Sequence, residues 1–210
     1  MHEWTVPYLP IDPTDIGRTY DAEVIRVNSQ SGKGGIAFVL EKSYGFVLPS
    51  GLREHFSSLC KHISDQGHRE LRAGELYQIF SGAYQPIKTD ITMRDFDITR
   101  TGDLVRVHIT FSRDGADTRM EAEGNGSLNA VNNALKAYTG EDYVLQVFSQ
   151  HSMQGEGSRS VAASYIGLEA PDGELYWGVG TDTDVVRSSA RALLNAFQNM
   201  MQSRHRPRTA

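Results

Sequence analysis

Val105-Arg106-Val107-His108-Ile109-Thr110-Phe111-Ser112, the turn Arg113-Asp114-Gly115-Ala116-Asp117 and residues 118–123 lead into Gly124-Asn125-Gly126-Ser127. Apolar residues at 105, 107, 109 and 111 alternate with polar ones, the period of a strand with one face buried. The Asp-Gly turn supplies hairpin chemistry, so residues 118–123 form the returning strand. Beyond the glycines, Leu128, Val131, Leu135 and Tyr138 recur at helical spacing until Thr139-Gly140 ends the run. The stretch therefore predicts strands closed by a covering helix. The period-two pattern begins near Asp90.

The scheme repeats downstream. Strands are expected near 143–153, 160–169 and 174–180, then a Gly178-Val179-Gly180-Thr181-Asp182 turn, then a helix with Val186, Ala190, Leu193, Phe197 and Met201 on one face. One three-stranded sheet with one helix leaves apolar surface open, so two such βββα units should pack together, and two chains as well. Upstream, Leu52, Phe56, Leu59 and Ile63, and again Leu76, Ile79, Phe80 and Tyr84, predict helices within a small unit over residues 35–87. Residues 22–27 alternate as a short strand, residues 35–40 predict a short apolar helix, and prolines at 7, 10 and 13 make the first twenty or so residues an extended arm. The expected fold class is α+β, with an extended arm over residues 1–34, a small helical unit over 35–88, a domain of two βββα units over 89–204 and a disordered tail over 205–210.

Bulk properties exclude several functions. A net charge of -5 argues against a nucleic-acid partner, with Arg204-His205-Arg206-Pro207-Arg208 read as a solvated end. The single cysteine, Cys60, precludes an intrachain disulfide and a multi-cysteine metal site, and its apolar surroundings mark it as core filler. No apolar run approaches the length of a membrane span and the N-terminus lacks an apolar signal region, so a soluble, cytoplasmic protein is expected. His55, His62 and His68 have poor chelate spacing, so no metal site is expected in this chain.

The run Val27-Asn28-Ser29-Gln30-Ser31-Gly32-Lys33-Gly34-Gly35-Ile36-Ala37 superficially reads as a phosphate loop. A P-loop needs an earlier glycine and a Ser or Thr after the lysine, and both are missing. Together with Val6-Pro7-Tyr8-Leu9-Pro10-Ile11-Asp12-Pro13 and Asp15-Ile16-Gly17-Arg18-Thr19-Tyr20, this run resembles the linker region of the long, actinobacterial-type 2-isopropylmalate synthases. The likeness extends through nearly the whole chain, as the C-terminal part of such an enzyme without its catalytic barrel, which alone needs roughly 250 residues.

The resemblance implies a regulatory domain that dimerises, binds leucine at the dimer interface, and inhibits condensation of acetyl-CoA with 2-oxoisovalerate. It implies leucine contacts at Gly124, Asn125, Gly126, Leu128 and Asn129 on the glycine loop. Leu145, Phe148 and Ser152 follow from one strand, with Ser160 and Ala162 from the next. Physically, glycines admit a ligand to the backbone and helix amides favour a carboxylate; an ordinary tight turn and ordinary sheet core are the alternative readings. Ser127 and Asn129 stand where relatives often carry proline and a small or acidic residue, and Phe148 where close relatives carry tyrosine.

Tyr8 corresponds to a tyrosine that reaches a neighbouring subunit's active site, and without the resemblance is a surface anchor. Gly32, Lys33, Gly34 and Gly35 read as a hinge or, through Lys33, as an anion site. The divalent metal, the general base and the acetyl-CoA site are implied on the barrel, so this chain alone should show no turnover and hold no cofactor. The partners expected are L-leucine, a second copy of the chain and the barrel of the same enzyme. The alternatives are the regulatory domain of a citramalate- or homocitrate-type synthase and a free-standing amino-acid sensor.

Overall fold

The structure is a computed structural model of the chain, describing residues 26–27, 33–85, 90–153 and 160–205. The chain divides into two compact units, residues 1–82 with 152–161, and residues 83–151 with 162–210.

In the first unit, strand β1 (Arg26–Val27) pairs antiparallel with β2 (Leu71–Arg72). Helix α1 spans Lys33–Tyr44, α2 spans Ser50–Gly67 and α3 spans Ala73–Tyr84, its last two residues counting with the second unit. Helix α1 begins two residues before the expected start and takes Lys33, Gly34 and Gly35 into its first turn. Of the strand expected over residues 22–27, the described part is β1. Helix α2 buries Leu52, Phe56 and Cys60 at i, i+4 spacing. It stops where His68 enters the left-handed region at φ 47°, and the His68 N–H turns back to Asp65 O. Aromatic rings fill this small core: Tyr44 stacks on Tyr77 at 4.4 Å, and Phe80 meets Phe46 at 4.9 Å and Phe56 edge-on at 5.5 Å.

The second unit contains two three-stranded antiparallel sheets, each followed by a helix. Strands β3 (Ile91–Thr101), β4 (Leu104–Arg113) and β5 (Ala116–Gly124) lie in that order and lead to α4 (Ser127–Thr139). A one-residue slip between Met93 and Phe96 marks a bulge in β3. The alternation read from the sequence holds: Val105, Val107, Ile109 and Phe111 are buried, while Arg106 reaches across to Glu121 at 3.1 Å and also pairs with Glu123 on the other face. Strands β6 (Val144–Met153), β7 (Val161–Glu169) and β8 (Leu175–Asp182) form the second sheet and lead to α5 (Val185–His205), the last two residues of β6 and the first of β7 counting with the first unit. One core joins the modules, with Val107, Ile109, Ala134 and Leu135 of the first packed in a cluster with Ile166, Leu168, Leu193 and Phe197 of the second. A helix covering a sheet without its neighbour would leave half of these side chains in water, at roughly 25 cal/mol per Å² of apolar surface.

One expectation is corrected. Gly178 and Gly180 are not a turn before the last helix but residues of β8, paired with Ile166 and Ser164 of β7. A Cβ at Gly178 would collide with Ala196 N and Ala192 O, and one at Gly180 with Ser188 O and Ala192 N. These glycines let α5 lie with its backbone directly on the strand. The Gly-x-Gly spacing looks the same in sequence whether it serves a turn or a helix seat, which is why period alone misassigned it.

Polar side chains fasten α5 to that surface. Asn195 donates to Val179 O at 2.8 Å, Asn199 to Trp177 O at 2.8 Å, and Gln198 to Ile91 O at 2.6 Å. Buried Ser188 Oγ lies 2.8 Å from Ser164 Oγ, 2.9 Å from Gly180 O and 3.0 Å from Ala162 O. Its one proton serves these three acceptors in turn, and Ser164 Oγ also accepts from Gln150 Nε2 at 3.1 Å.

Two outcomes are expected. Gly180→Ala should cost about 3 kcal/mol in urea unfolding, because the helix must lift from the strand to admit a methyl group. Burial pushes the Cys60 thiol up to about 12, so it should be inert to a thiol-specific chromogenic reagent at neutral pH in the folded protein and react fully once unfolded.

Candidate effector site at the start of helix α4

The site is built where β5 hands over to α4. Gly124, the last residue of β5, is buried, and a Cβ there would lie 2.5 Å from both Ala130 N and Asn129 Oδ1. Only glycine permits the strand end to touch the first turn of the helix. Gly126 is the N-cap of α4, in extended backbone at φ −170°, ψ 165°, with no side-chain cap hydrogen bond and nothing within 4 Å of where a Cβ would stand. Neither strain nor crowding therefore requires glycine at 126. Its effect is to leave the helix end uncovered.

The first turn of an α-helix has N–H groups without intrahelical acceptors, and the helix dipole gives that end a partial positive charge. In α4 these belong to Ser127, Leu128 and Asn129, since the first helical bond runs from Ala130 N–H to Gly126 O. In α5 the corresponding N-cap is Asp184, whose N-terminal bond is Ser188 N–H to Asp184 O. Its carboxylate accepts from Val186 N–H at 2.8 Å and Arg187 N–H at 2.9 Å. Thus α5 satisfies its own N-terminus with an internal carboxylate, whereas α4 presents the same donors with none supplied by its cap.

The loop is suspended from α4 at two points. Asn125 N–H donates to Asn129 Oδ1 at 3.3 Å, and Asn133 Nδ2 donates to Glu123 O at 2.8 Å. The Asn129 side chain is thus turned back on the loop. Leu128 is half-buried and packs against the core.

The remaining candidates fall elsewhere. Leu145 packs partly against the core, while Phe148 is 46% exposed on β6. Ala162 is buried on β7, where its carbonyl is near Ser188. Ser152 and Ser160, in the first unit, are hydrogen-bonded to each other through their hydroxyls. The structure brings together Gly124, Asn125, Gly126, Leu128 and Asn129 on the loop and first turn of α4. Tyr8 and Gly32 lie outside the described residues. Sequence reading missed Asn133 and Asp184. An Asp directly before an apolar helical run is a cap signal that could have revealed Asp184, whereas nothing in the sequence marks Asn133.

Residues 70–201 match the model of the LeuA allosteric (dimerisation) domain, and residues 1–41 match that of the alpha-isopropylmalate synthase post-catalytic domain. The chain belongs to the LeuA allosteric domain family. It is 42% identical over 201 residues to a 2-isopropylmalate synthase of Desulfitobacterium hafniense, an alignment covering 96% of this chain and 36% of the relative. It is 39% identical over 209 residues to the enzyme of that name in Helicobacter hepaticus, covering 96% and 37%. A third 2-isopropylmalate synthase, from Agrobacterium fabrum, is 39% identical over 206 residues. The chain thus spans little more than a third of the length of these relatives. Within this LeuA-family domain, the glycine loop opening α4 and the self-capped start of α5 occupy corresponding places in the two βββα modules.

The asymmetry can be reversed by one substitution. Gly126→Asp should supply α4 with the cap that α5 already has and stabilise the protein by about 0.5–1 kcal/mol in urea unfolding. Gly124→Ala should instead destabilise it by about 2–3 kcal/mol, since the methyl group has no space beside Ala130 N.

Proposed function

We propose that this chain is the regulatory portion of a 2-isopropylmalate synthase, in which L-leucine binds at the N-terminus of α4 and inhibits condensation of acetyl-CoA with 2-oxoisovalerate. The observation that carries the reading is the uncapped glycine at 126 beside the obligatory glycine at 124. Together they expose three helix amides to an approaching carboxylate and hold the strand end in place behind them. Membership of the LeuA allosteric family and the names of the similar proteins support it.

The ligand's carboxylate takes the position relative to α4 that the Asp184 carboxylate takes relative to α5. Half-buried Leu128 supplies apolar surface at the same helix end for an aliphatic side chain. The chain acts as a homodimer in the cytoplasm, with Phe148 and Ala162 completing the pocket wall in the assembled enzyme. Catalysis and its divalent metal belong to the barrel, toward which Tyr8 reaches and from which the residues around Lys33 form the connection. Coupling between the sites is a free energy and is reciprocal, so leucine and the substrates oppose one another's binding in the full enzyme.

Calorimetric titration of the chain tests the proposal. L-Leucine should bind saturably, and leucinamide, which keeps the side chain and ammonium but lacks the carboxylate, at least about tenfold more weakly. Gly126→Asp should remove leucine binding while remaining folded. Equal binding of leucinamide, or undiminished binding by Gly126→Asp, would overturn the placement of the carboxylate on α4.

A further inference from the structure

The effector loop contains the chain's only Asn-Gly pair, Asn125-Gly126. We propose that Asn125 is a site of spontaneous deamidation, and that this modification desensitises the protein to its effector. Asn125 is exposed, and its side-chain amide has no hydrogen-bond partner among the described residues. The next residue has no side chain, and beyond its chain neighbours nothing lies within 4 Å of where its Cβ would stand. Asn129, Asn132, Asn133, Asn195 and Asn199 lie inside α4 or α5, and each is followed by a residue with a side chain. There the following backbone nitrogen is held in the helix, so the attack available to Gly126 is denied to them.

The step balances without an oxidant or a reductant. The backbone nitrogen of Gly126 attacks Cγ of Asn125, the bond from Cγ to the side-chain nitrogen breaks, and ammonia leaves with the proton released by the Gly126 nitrogen. Water then opens the cyclic imide at either carbonyl. One product is aspartate, and the other is isoaspartate, in which the main chain runs through the former side chain. Both carry a new carboxylate one residue before the N-cap of α4.

That charge changes the site in a definite direction. The helix end that attracts a ligand carboxylate now has an internal one beside it, as α5 has in Asp184. The isoaspartate form also lengthens the main chain between Asn125 and Gly126, within the loop that Asn129 and Asn133 suspend from the helix. The consequence for leucine rests on α4 being the effector site, whereas the modification itself does not.

The test ages the purified chain at mildly alkaline pH and physiological temperature. Peptide mass mapping and an isoaspartate assay follow Asn125, and leucine titration compares fresh with aged protein. Conversion should concentrate at Asn125, and affinity should fall by at least about fivefold in the converted fraction. Asn125→Asp should start with the weakened affinity of the aged protein, and Asn125→Gln should show no change in affinity on ageing, whatever its initial value. Conversion at Asn125 only after unfolding would overturn the modification. Conversion in the folded chain with unchanged leucine affinity would overturn the desensitisation. Failure of fresh protein to bind leucine would instead contradict the effector reading, with the mass map still deciding the modification.

Discussion

Backbone lying directly on backbone is the constraint from which the rest of this domain follows. Helix α5 rests on β8 at Gly178 and Gly180, and the first turn of α4 touches the end of β5 at Gly124, at separations that admit no Cβ. Such closeness fixes each helix in position and angle on its sheet, because a shift of a few tenths of an ångström converts contact into overlap. It also brings polar side chains of α5 within reach of strand carbonyls, so that Asn195, Gln198 and Asn199 bond to the main chain and not to water. The shared apolar core supplies the bulk of the driving force, and the glycine seats supply the geometry.

A rigid seat has a functional corollary. With α4 fixed against Gly124, its amides hold a defined orientation before any ligand arrives, so binding need not order them. The two modules then diverge at a single position. Asp184 closes the start of α5 with a carboxylate from the chain, and Gly126 leaves the start of α4 open. A repeated architecture has thereby produced one self-satisfied helix end and one available to an outside anion. Loss of the glycine's accessibility, through a substituted side chain or a neighbouring charge, acts on this difference without disturbing the fold beneath it.

Much of the fold was legible because its signals are periodic. The alternation at residues 105–111, the Asp-Gly turn and the helical spacing from Leu128 to Tyr138 each correspond to the element found, and the second module repeats them. The helices of the first unit were readable from the same kind of spacing. Glycines were less transparent, since a residue without a side chain serves a tight turn, a helix seat or an open cap with the same letter. Spacing alone accordingly reads Gly178 and Gly180 as a turn, and the different roles of Gly124 and Gly126 lie only in what surrounds each. The glycine loop itself was identifiable as a candidate. The suspension of that loop by Asn133, and the contrast with Asp184, depend on contacts between residues far enough apart that no local pattern encodes them.

The central claim is that α4, and not α5, offers its N-terminal amides to a carboxylate. Amide resonances of the folded chain during L-leucine titration test it most directly. The account predicts saturable shifts at Ser127, Leu128 and Asn129 with one dissociation constant, and no comparable change at Val186 and Arg187. Shifts confined to the start of α5, or saturable leucine binding that leaves the three α4 amides unmoved, would contradict it.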